Sequence, residues 1–404
     1  MILENINTNR ITIIDALRGF ALAGVCLVHM NEQYIASPPS ENLMEISNGL
    51  FDQILSGVIG FFIIGKFFAL FSILFGLSFF IQMDAATKRG EKFEMRFLWR
   101  AFLLFIIGYA HHLFYKGDIL TIYALLAPFL IPFYRLQNKW ILLVAGLFLI
   151  SIPRFISYAI LGNESAFGLP PIMDANSAMN ISYINTLKEG SITSVFAVNS
   201  YQGMLQKMDF QIGLFGRFYL TFGYFLIGLW IGKIGLFHQV EEKIPMVKNW
   251  LKKASIFFVI TLVITGGVFA LSPQPVDFKS WLHVFGINAY DWSNIGLTAI
   301  ILCAFILIYQ RKRGYKFLSF FTSYGRMALT NYVLQSLIGT FLLFGWGIGL
   351  LGKVRTLYLV IIAIALISLQ AVLSDIWLRH YKYGPLEWLW RSATKGKIQA
   401  FKRQ

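Results

Sequence analysis

The chain has 404 residues, of which 57% are apolar and only 14% charged, and its formal net charge is +15. A soluble domain carries about 25% charged residues, so this chain has too little polar surface to face water on every side. Many of its apolar stretches reach the roughly 20 residues that a helix needs to cross a bilayer. Alternating segments of about ten residues, typical of a membrane β-barrel, do not occur in the sequence. The composition therefore predicts an all-α, polytopic bundle of transmembrane helices.

The apolar segments, in chain order, predict ten spans within a single integral membrane domain, residues 1–404. They are residues 11–31, 59–82, 97–115, 118–134, 139–161, 211–233, 254–272, 292–310, 319–346 and 356–378. Both cysteines, Cys26 and Cys303, fall inside predicted spans, which predicts neither a disulfide framework nor a metal site. Residues 162–210 form a long extracytoplasmic loop, whose aromatic residues indicate short interfacial helices packed over the external mouth.

The positive charge is explained by topology. Lysines and arginines collect in cytoplasmic loops of membrane proteins, and here they concentrate in alternate connections and in the C-terminal tail, whereas residues 32–58 contain none. This alternation predicts two cytoplasmic termini and a multi-pass protein of the plasma (inner) membrane. The expected partners are membrane lipids, with no role for nucleic acid, and an assembly of identical chains is left open.

Ionisable residues inside predicted spans fall into two layers. A charge at bilayer depth costs a few kcal/mol or more, so such residues are candidates for function. The inner layer holds Asp15 and Arg18, spaced i and i+3 on the first span, and Arg326 at the start of the ninth. Asn331 and Gln335 follow on one face of that ninth span. Arginines and amide donors of this kind suit an anionic, phosphate-bearing ligand that enters from the cytoplasm.

The outer layer holds histidines beside a carboxylate. His29 lies eleven residues after Arg18, about 16 Å along the helix axis and on nearly the same face. His111 ends the third predicted span and Asp118 opens the fourth, an arrangement in which a carboxylate orients a histidine for proton transfer. The same layer also includes Lys66, His112, Arg154 and Arg217.

Four blocks of sequence resemble the YeiB-like family of bacterial membrane proteins. They are Asp15-Ala16-Leu17-Arg18-Gly19-Phe20 after Asn9-Arg10; Gly65-Lys66-Phe67-Phe68-Ala69-Leu70; Gly108-Tyr109-Ala110-His111 with Gly117-Asp118; and Gly325-Arg326 through Asn331-Tyr332 and Gln335-Ser336, followed by Gly384-Pro385-Leu386-Glu387-Trp388. The resemblance extends over essentially the whole chain.

The opening block is also similar to that of the transmembrane acyltransferase superfamily, which includes heparan-alpha-glucosaminide N-acetyltransferase and bacterial enzymes that acylate cell-surface sugars. The resemblance implies transfer of an acetyl or other short acyl group from cytoplasmic acyl-CoA, as cosubstrate, to a hydroxyl or amine on the other side of the membrane. It implies that Asp15 and Arg18 belong to the shared opening motif. In those enzymes a histidine ends the first span, and His29 holds that place here.

The leading hypothesis is therefore a membrane acyltransferase of the cell envelope that uses acetyl-CoA and no metal. Arg18 and Arg326 would bind the CoA phosphates, together with Asp15, Asn331 and Gln335. His111 or His29 would take the acceptor's proton, with Asp118 orienting His111, and Lys66 would stabilise negative charge on the thioester oxygen. The acceptor is expected to be a glycan or small sugar.

Two alternatives remain open at the level of sequence. The polar layers suit a transporter of a small anionic or amphiphilic solute, although no paired repeat or broken helix is evident in the sequence. The layers also suit a purely structural role, in which polar side chains hold helices together by hydrogen bonds. The enzyme hypothesis further predicts that both layers enclose one cavity that reaches from one membrane face to the other.

Overall fold

The computed structural model describes residues 11–39, 45–162, 164–170, 174–238, 240–272 and 280–403. Asn9 and Arg10 of the opening block lie outside this part of the chain, as does Pro171 of the long loop.

The described residues form helices and no strand. The first are α1 (Thr12–Asn31), α2 (Leu50–Phe62), α3 (Lys66–Lys88), α4 (Glu94–Phe114), α5 (Leu120–Leu126), α6 (Leu130–Tyr134), α7 (Asn138–Leu149), α8 (Ile152–Leu161), α9 (Ala178–Glu189) and α10 (Ile192–Val198). The rest are α11 (Met204–Ile212), α12 (Arg217–Lys233), α13 (Val240–Leu271), α14 (Trp281–Tyr309), α15 (Lys312–Leu318), α16 (Phe320–Arg326), α17 (Ala328–Leu343), α18 (Thr356–His380) and α19 (Pro385–Lys395).

The prediction of an all-α multi-pass membrane bundle is confirmed. In the described ranges, six helical segments are long and apolar enough to cross a membrane, and two bent pairs raise the number to eight. One pair is α7 with α8, bent by 41°; the other is Ile192–Ile212 with α12, bent by 60°. Leu120–Tyr134 and Ala328–Leu343, shorter apolar segments, occupy two further predicted spans. The number ten and the cytoplasmic termini stay predictions, whereas broken helices, not evident in the sequence, are present.

Glycines set the distance between helices at the end of α1 that carries Arg18, here named the inner end. A Cβ atom on Gly325 of α16 would lie 1.9 Å from the Asp15 carbonyl oxygen and 2.5 Å from the Gly19 nitrogen. No side chain fits between these backbones, as is common where membrane helices pack closely. The Gly19–Gly325 approach therefore brings Arg18 and Arg326, the neighbours of these glycines, to the same level of the bundle.

We expect Gly325→Ala to lower the stability of the purified protein by about 1–3 kcal/mol, because the added methyl forces α1 and α16 apart. Gly146, inside α7, is the matched control, since a Cβ atom there meets nothing within 4 Å. Thermal unfolding in detergent measures both variants. Equal unfolding midpoints for Gly325→Ala and Gly146→Ala would show that the two helices have room to separate.

The C-terminal helix α19 anchors the start of α17. The Glu387 carboxylate accepts hydrogen bonds from the backbone N–H groups of Leu329 (2.7 Å) and Thr330 (3.1 Å) and from the Thr330 hydroxyl (2.6 Å). A negative side chain at a helix N-terminus satisfies the free N–H groups and the helix dipole. Burial nevertheless raises the pKa of Glu387 above its usual value. The Gly384–Trp388 block thus has a structural role.

Candidate functional site

A cavity of about 530 Å³ lies at the end of α1 that carries His29, here named the outer end. Its wall includes residues of the long loop, among them Leu169, Asn180 and Lys207. The parts of this segment that border the cavity include the short helices α9 and α11, and the extracytoplasmic side of the loop stays a prediction. On α1 the described lining residues extend inward only to Leu22. The expectation of one cavity through both layers is therefore wrong: this one belongs to the outer layer.

His111 and Asp118 form a buried hydrogen-bonded pair. His111 Nδ1 lies 2.8 Å from Asp118 Oδ1, and both side chains are almost fully buried. Asp118 also accepts the backbone N–H groups of Leu120 (3.1 Å) and Thr121 (2.9 Å), so it opens α5 as an N-terminal cap. Because an ionised carboxylate only accepts, Nδ1 is the donor in this hydrogen bond. Within the described chain, His111 Nε2 has no hydrogen-bond partner.

Lys207 of α11 completes the charge balance around Asp118. Its ammonium lies 3.3 Å from Asp118 Oδ2 and 2.5 Å from the Thr121 hydroxyl. It is also 3.4 Å from His112 Nδ1, whose other ring nitrogen contacts the backbone oxygen of Asn199 at 3.0 Å. His112 therefore ties α4 to the segment between α10 and α11. The sequence missed Lys207 because the loop that carries it has no local pattern pointing to Asp118.

His29 borders the cavity directly, whereas His111 is not among its described lining residues. The two histidines share neighbours: the Tyr332 ring lies 6.2 Å from His29 and 5.0 Å from His111, centroid to centroid. The Tyr115 ring lies 4.9 Å and 6.3 Å from them, respectively. The structure therefore brings together the two histidines and Asp118 of the outer layer, with His29 nearest the space that a ligand would fill.

Glu32, which follows α1 directly, is a cavity residue that the sequence analysis did not single out. Its side chain is exposed towards the cavity, but desolvation by the surrounding protein raises the pKa of its carboxyl group to about 7, while the positive charge of Arg217 opposes the shift. A carboxyl group with this pKa exchanges protons near neutral pH. Glu32 lies three residues after His29, about one helical turn, and this spacing is the signal that could have identified it.

We expect the Glu32 carboxyl group to titrate near pH 7 in the folded protein. In Arg217→Gln its pKa should be higher still, because the neighbouring positive charge that favours the ionised form is gone. Infrared difference spectra across a pH titration, with Glu32→Gln to identify the band, measure both values. A midpoint at the ordinary value of a glutamate would show that water reaches this group freely.

Two arginines share one carboxylate beside the cavity. Arg154 Nη2 lies 2.6 Å from Asp291 Oδ2, and Arg217 Nη1 lies 3.1 Å from Asp291 Oδ1. Arg154 also donates to Asn288 Oδ1 at 2.8 Å and to the Phe215 carbonyl oxygen. Arg154 is buried, whereas Arg217, the first residue of α12, borders the cavity. Asp291, inside the span α14, was not singled out in the sequence, although an aspartate at that depth calls for a cationic partner.

Lys66 lies behind the cavity wall. Its ammonium donates to the Gly60 carbonyl oxygen at 3.3 Å and stands 5.5 Å from the centre of the Tyr290 ring. It is 2% exposed and is not among the described lining residues, although its neighbours Gly65 and Phe67 are. In this arrangement Lys66 stabilises the break between α2 and α3 rather than facing a ligand.

The inner layer divides into two groups. Arg18 binds Asp15 at 2.9 Å and the Ser78 hydroxyl at 3.1 Å, and its side chain stays 25% exposed. Arg326 is half-buried and interacts electrostatically with Asp375. These two arginines lie at one level, so the inner layer keeps guanidinium groups close to the surface.

Asn331 and Gln335 form the second group, and their amides link helices. Asn331 Nδ2 donates to the Ser374 hydroxyl at 2.9 Å and to the Tyr324 carbonyl oxygen at 3.1 Å. Gln335 Nε2 donates to Gln370 Oε1 at 3.2 Å and to the Tyr324 hydroxyl. These contacts join α16, α17 and α18. For this pair the structure favours the interhelical role that the sequence left open. In the described parts of the chain, no cluster of three potential metal ligands occurs.

Comparison with known proteins places this geometry in a family. Residues 231–397 match the family model described as "Protein of unknown function (DUF418)". The uncharacterized protein YxaH of Bacillus subtilis (strain 168) is 30% identical over 400 residues, 96% of this chain and 95% of YxaH. The chain belongs to the YeiB-like DUF418 family. The uncharacterized protein YeiB of Escherichia coli (strain K12) is 46% identical over 70 residues, 17% of this chain and 18% of YeiB.

Sequence similarity to two relatives extends over the residues of both the inner and the outer layer. An uncharacterized 39.9 kDa protein from the amylase 3' region of Bacillus acidopullulyticus is 28% identical over 390 residues, 95% of this chain and 94% of that protein. The family model itself begins in α12 and ends just beyond α19, so it includes Asp291 and the inner arginine Arg326 but none of the three histidines of the outer layer. The full-length likeness to YxaH spans the histidines as well.

Proposed function

We propose that this protein is an acyltransferase of the bacterial plasma membrane, which moves an acetyl or other short acyl group from cytoplasmic acyl-CoA to an extracytoplasmic acceptor. The observation that carries the proposal is the cluster of His29, His111 and Asp118, of which His29 and Asp118 border the cavity. Two histidines and a carboxylate are the groups that acyl transfer needs to remove a proton from a hydroxyl or amine. Structural hydrogen bonding alone does not require a histidine to border a cavity.

His29 is the base in this mechanism, because it is the histidine that borders the cavity. It takes the proton from the acceptor's hydroxyl or amine as the acceptor attacks the thioester carbonyl, and the CoA thiolate leaves. Asp118 and its partner His111 are positioning residues. The Asp118 carboxylate, fixed by two backbone N–H groups, stabilises through space the positive charge that develops on the His29 imidazole.

The acyl-CoA would bind at the inner end. Arg18 fits this role, because its guanidinium is partly exposed and uses only part of its five donors on Asp15 and Ser78. Arg326 adds a second guanidinium at the same level. Asn331 and Gln335 are left out of the proposal, since their amide groups bind neighbouring helices. Arg18 and Leu22 are one helical turn apart, but Gly19 and Phe20 pack against α3 and α16 in between, so the acyl arm would have to part these helices to reach the cavity.

Transport is the second candidate, and broken helices are the observation that favours it. The pair formed by Ile192–Ile212 and α12 bends by 60°, and Arg217 at the start of α12 borders the cavity. Half-helix N-termini of this kind bind anionic substrates in transporters. Uptake of an anionic amphiphile into proteoliposomes without any CoA would favour transport over acyl transfer.

The direct test is binding and transfer by the purified protein in lipid nanodiscs. We expect acetyl-CoA to bind, and we expect Arg18→Gln to weaken that binding by about tenfold, as loss of a charged hydrogen bond does. Arg379→Gln, at an exposed arginine near the end of α18, is the control. The proposal fails if neither acetyl-CoA nor longer acyl-CoAs bind and no label passes to extracts of the cell envelope.

A further inference from the structure

The cavity has two chemically different halves. Its polar residues lie at the outer end, where α1 ends and where α3 and α5 begin. Farther inward, each of these three helices contributes only apolar side chains to the wall. These are Leu22, Val25, Phe67, Phe68, Phe71 and Ile122. Leu22 lies seven residues before His29, about 10 Å deeper along the helix axis.

An acetyl group does not account for the apolar half. Burying hydrocarbon is favourable by about 0.8 kcal/mol for each CH₂ group, and an apolar wall of phenylalanine, leucine and valine offers water no hydrogen bonds. A wall of this kind, open at one polar end, matches a molecule with a hydrocarbon chain and a polar head.

One lysine of the outer half binds no carboxylate of its own, although carboxyl groups also line the cavity. Lys116 is 3% exposed, borders the cavity and binds only the neutral groups Ser37 Oγ and Gln206 Oε1 (2.6 Å), with the Tyr183 ring at 3.8 Å. Within the described residues, no carboxylate lies within ion-pair distance of its ammonium. A buried cation without a counter-ion is costly, and burial holds the pKa of Lys116 well below its usual value. An arriving anion would restore its charge.

Arg217 supplies a second site for an anion. It and Arg154 share the single carboxylate of Asp291, so these three groups carry a net charge of about one positive unit, with the Glu32 carboxyl group as a further neighbour of Arg217. The mouth also contains carboxyl groups, Glu32 and Asp209 among them. These accept hydrogen bonds from a hydroxyl or amine, and Asp209 already accepts one from Ser165 at 2.7 Å. The matching head therefore carries both an anion and a hydroxyl or amine donor.

We propose that the cavity binds an amphiphile, with its hydrocarbon chain in the apolar half and an anionic, hydroxyl-bearing headgroup between Lys116 and Arg217. Binding of such a molecule does not depend on acyl transfer. Its identification as the acceptor does rest on the proposed function, because the headgroup hydroxyl would then lie beside His29.

The test uses three probes and the full-length protein in nanodiscs, without acyl-CoA. Lysophosphatidylglycerol has the chain, the phosphodiester anion and hydroxyl groups, and lysophosphatidylcholine has the same chain and a zwitterionic head. Glycerol phosphate is an anionic, hydroxyl-bearing molecule without the chain. We expect lysophosphatidylglycerol to bind at least tenfold more tightly than the other two. Lysophosphatidylcholine binding as tightly would overturn the assignment of the headgroup, and glycerol phosphate binding as tightly would overturn that of the chain.

Variants locate the binding. Lys116→Met should weaken lysophosphatidylglycerol binding by about tenfold and leave lysophosphatidylcholine unchanged, whereas Lys353→Met, at an exposed lysine, should change neither. Val25→Phe and Phe68→Asn alter the apolar half in opposite ways, and each should weaken both lipids. Unchanged affinity in folded Lys116→Met and Phe68→Asn would overturn the proposal. Binding with these preferences, but without acyl transfer, would instead refute only the proposed function.

Discussion

Replacing His29 by alanine is expected to lower the rate of acyl transfer by about a hundredfold or more, since general base catalysis contributes about 10²–10⁴-fold. The expectation follows from position: His29 is the histidine at the cavity wall, and His111 lies behind it beside Tyr332. Steady-state transfer of labelled acetyl groups measures the loss. His238→Ala, at an exposed histidine, is the control and should retain full activity.

His111 and Asp118 should behave differently from His29. Because these are positioning residues, replacing them should change the pH profile of the reaction as well as its rate. The reason is that Asp118 stabilises the charged forms of the His29 and His111 imidazoles. Asp118→Asn should therefore move the acidic limb of the profile to lower pH, while His111→Gln should retain more activity than His111→Ala. If His111→Ala abolishes transfer and His29→Ala does not, the roles of the two histidines are reversed.

Replacing Asp291 by alanine is expected to destabilise the protein by about 3–5 kcal/mol, because it leaves buried cationic groups without their carboxylate. Asp291 binds Arg154 at 2.6 Å and Arg217 at 3.1 Å, with its own side chain 2% exposed. Thermal unfolding of the purified protein measures the change. The double variant Asp291→Ala with Arg154→Met should recover part of the loss, since it removes one unpaired charge.

The control for this cluster is an ion pair near the surface. Asp375 binds Arg379 at 2.8 Å, with more than half of each side chain exposed. Exposed pairs contribute about 0–1 kcal/mol, so Arg379→Gln should have little effect. Equal unfolding midpoints for Asp291→Ala and Arg379→Gln would mean that water or lipid headgroups reach the arginines without Asp291.

The sequence predicts the membrane class of this protein well and its pairings poorly. Apolar length and charge composition depend on local sequence alone, so the helical bundle follows from them, and so does the His111–Asp118 pair, whose members are separated by one short turn. Lys207 and Asp291 join their partners across tertiary distances that no local spacing encodes. For the same reason the sequence places Asn331 and Gln335 at one face but does not show that their amides face α16 and α18.

The two polar layers could be predicted from the sequence, but the extent of the cavity between them could not. Depth along a helix follows from residue number at about 1.5 Å per residue, so the layers themselves are predictable. Whether they share a space depends on side-chain packing between helices, and the cavity follows α1 only from Glu32 to Leu22. The turn between Leu22 and Arg18 is closed by packing against α3 and α16. An acyl arm that crosses this turn would therefore have to part these helices.

Transfer across sealed membrane vesicles tests the central claim most directly. Inside-out vesicles that contain the protein receive labelled acetyl-CoA on their cytoplasmic, now external, face. We expect label to appear in lumenal lipids or glycans with the wild-type protein and with His238→Ala, and not with His29→Ala. Label that reaches the lumenal pool equally in His29→Ala, or that never leaves CoA in vesicles containing folded wild-type protein, would contradict the account.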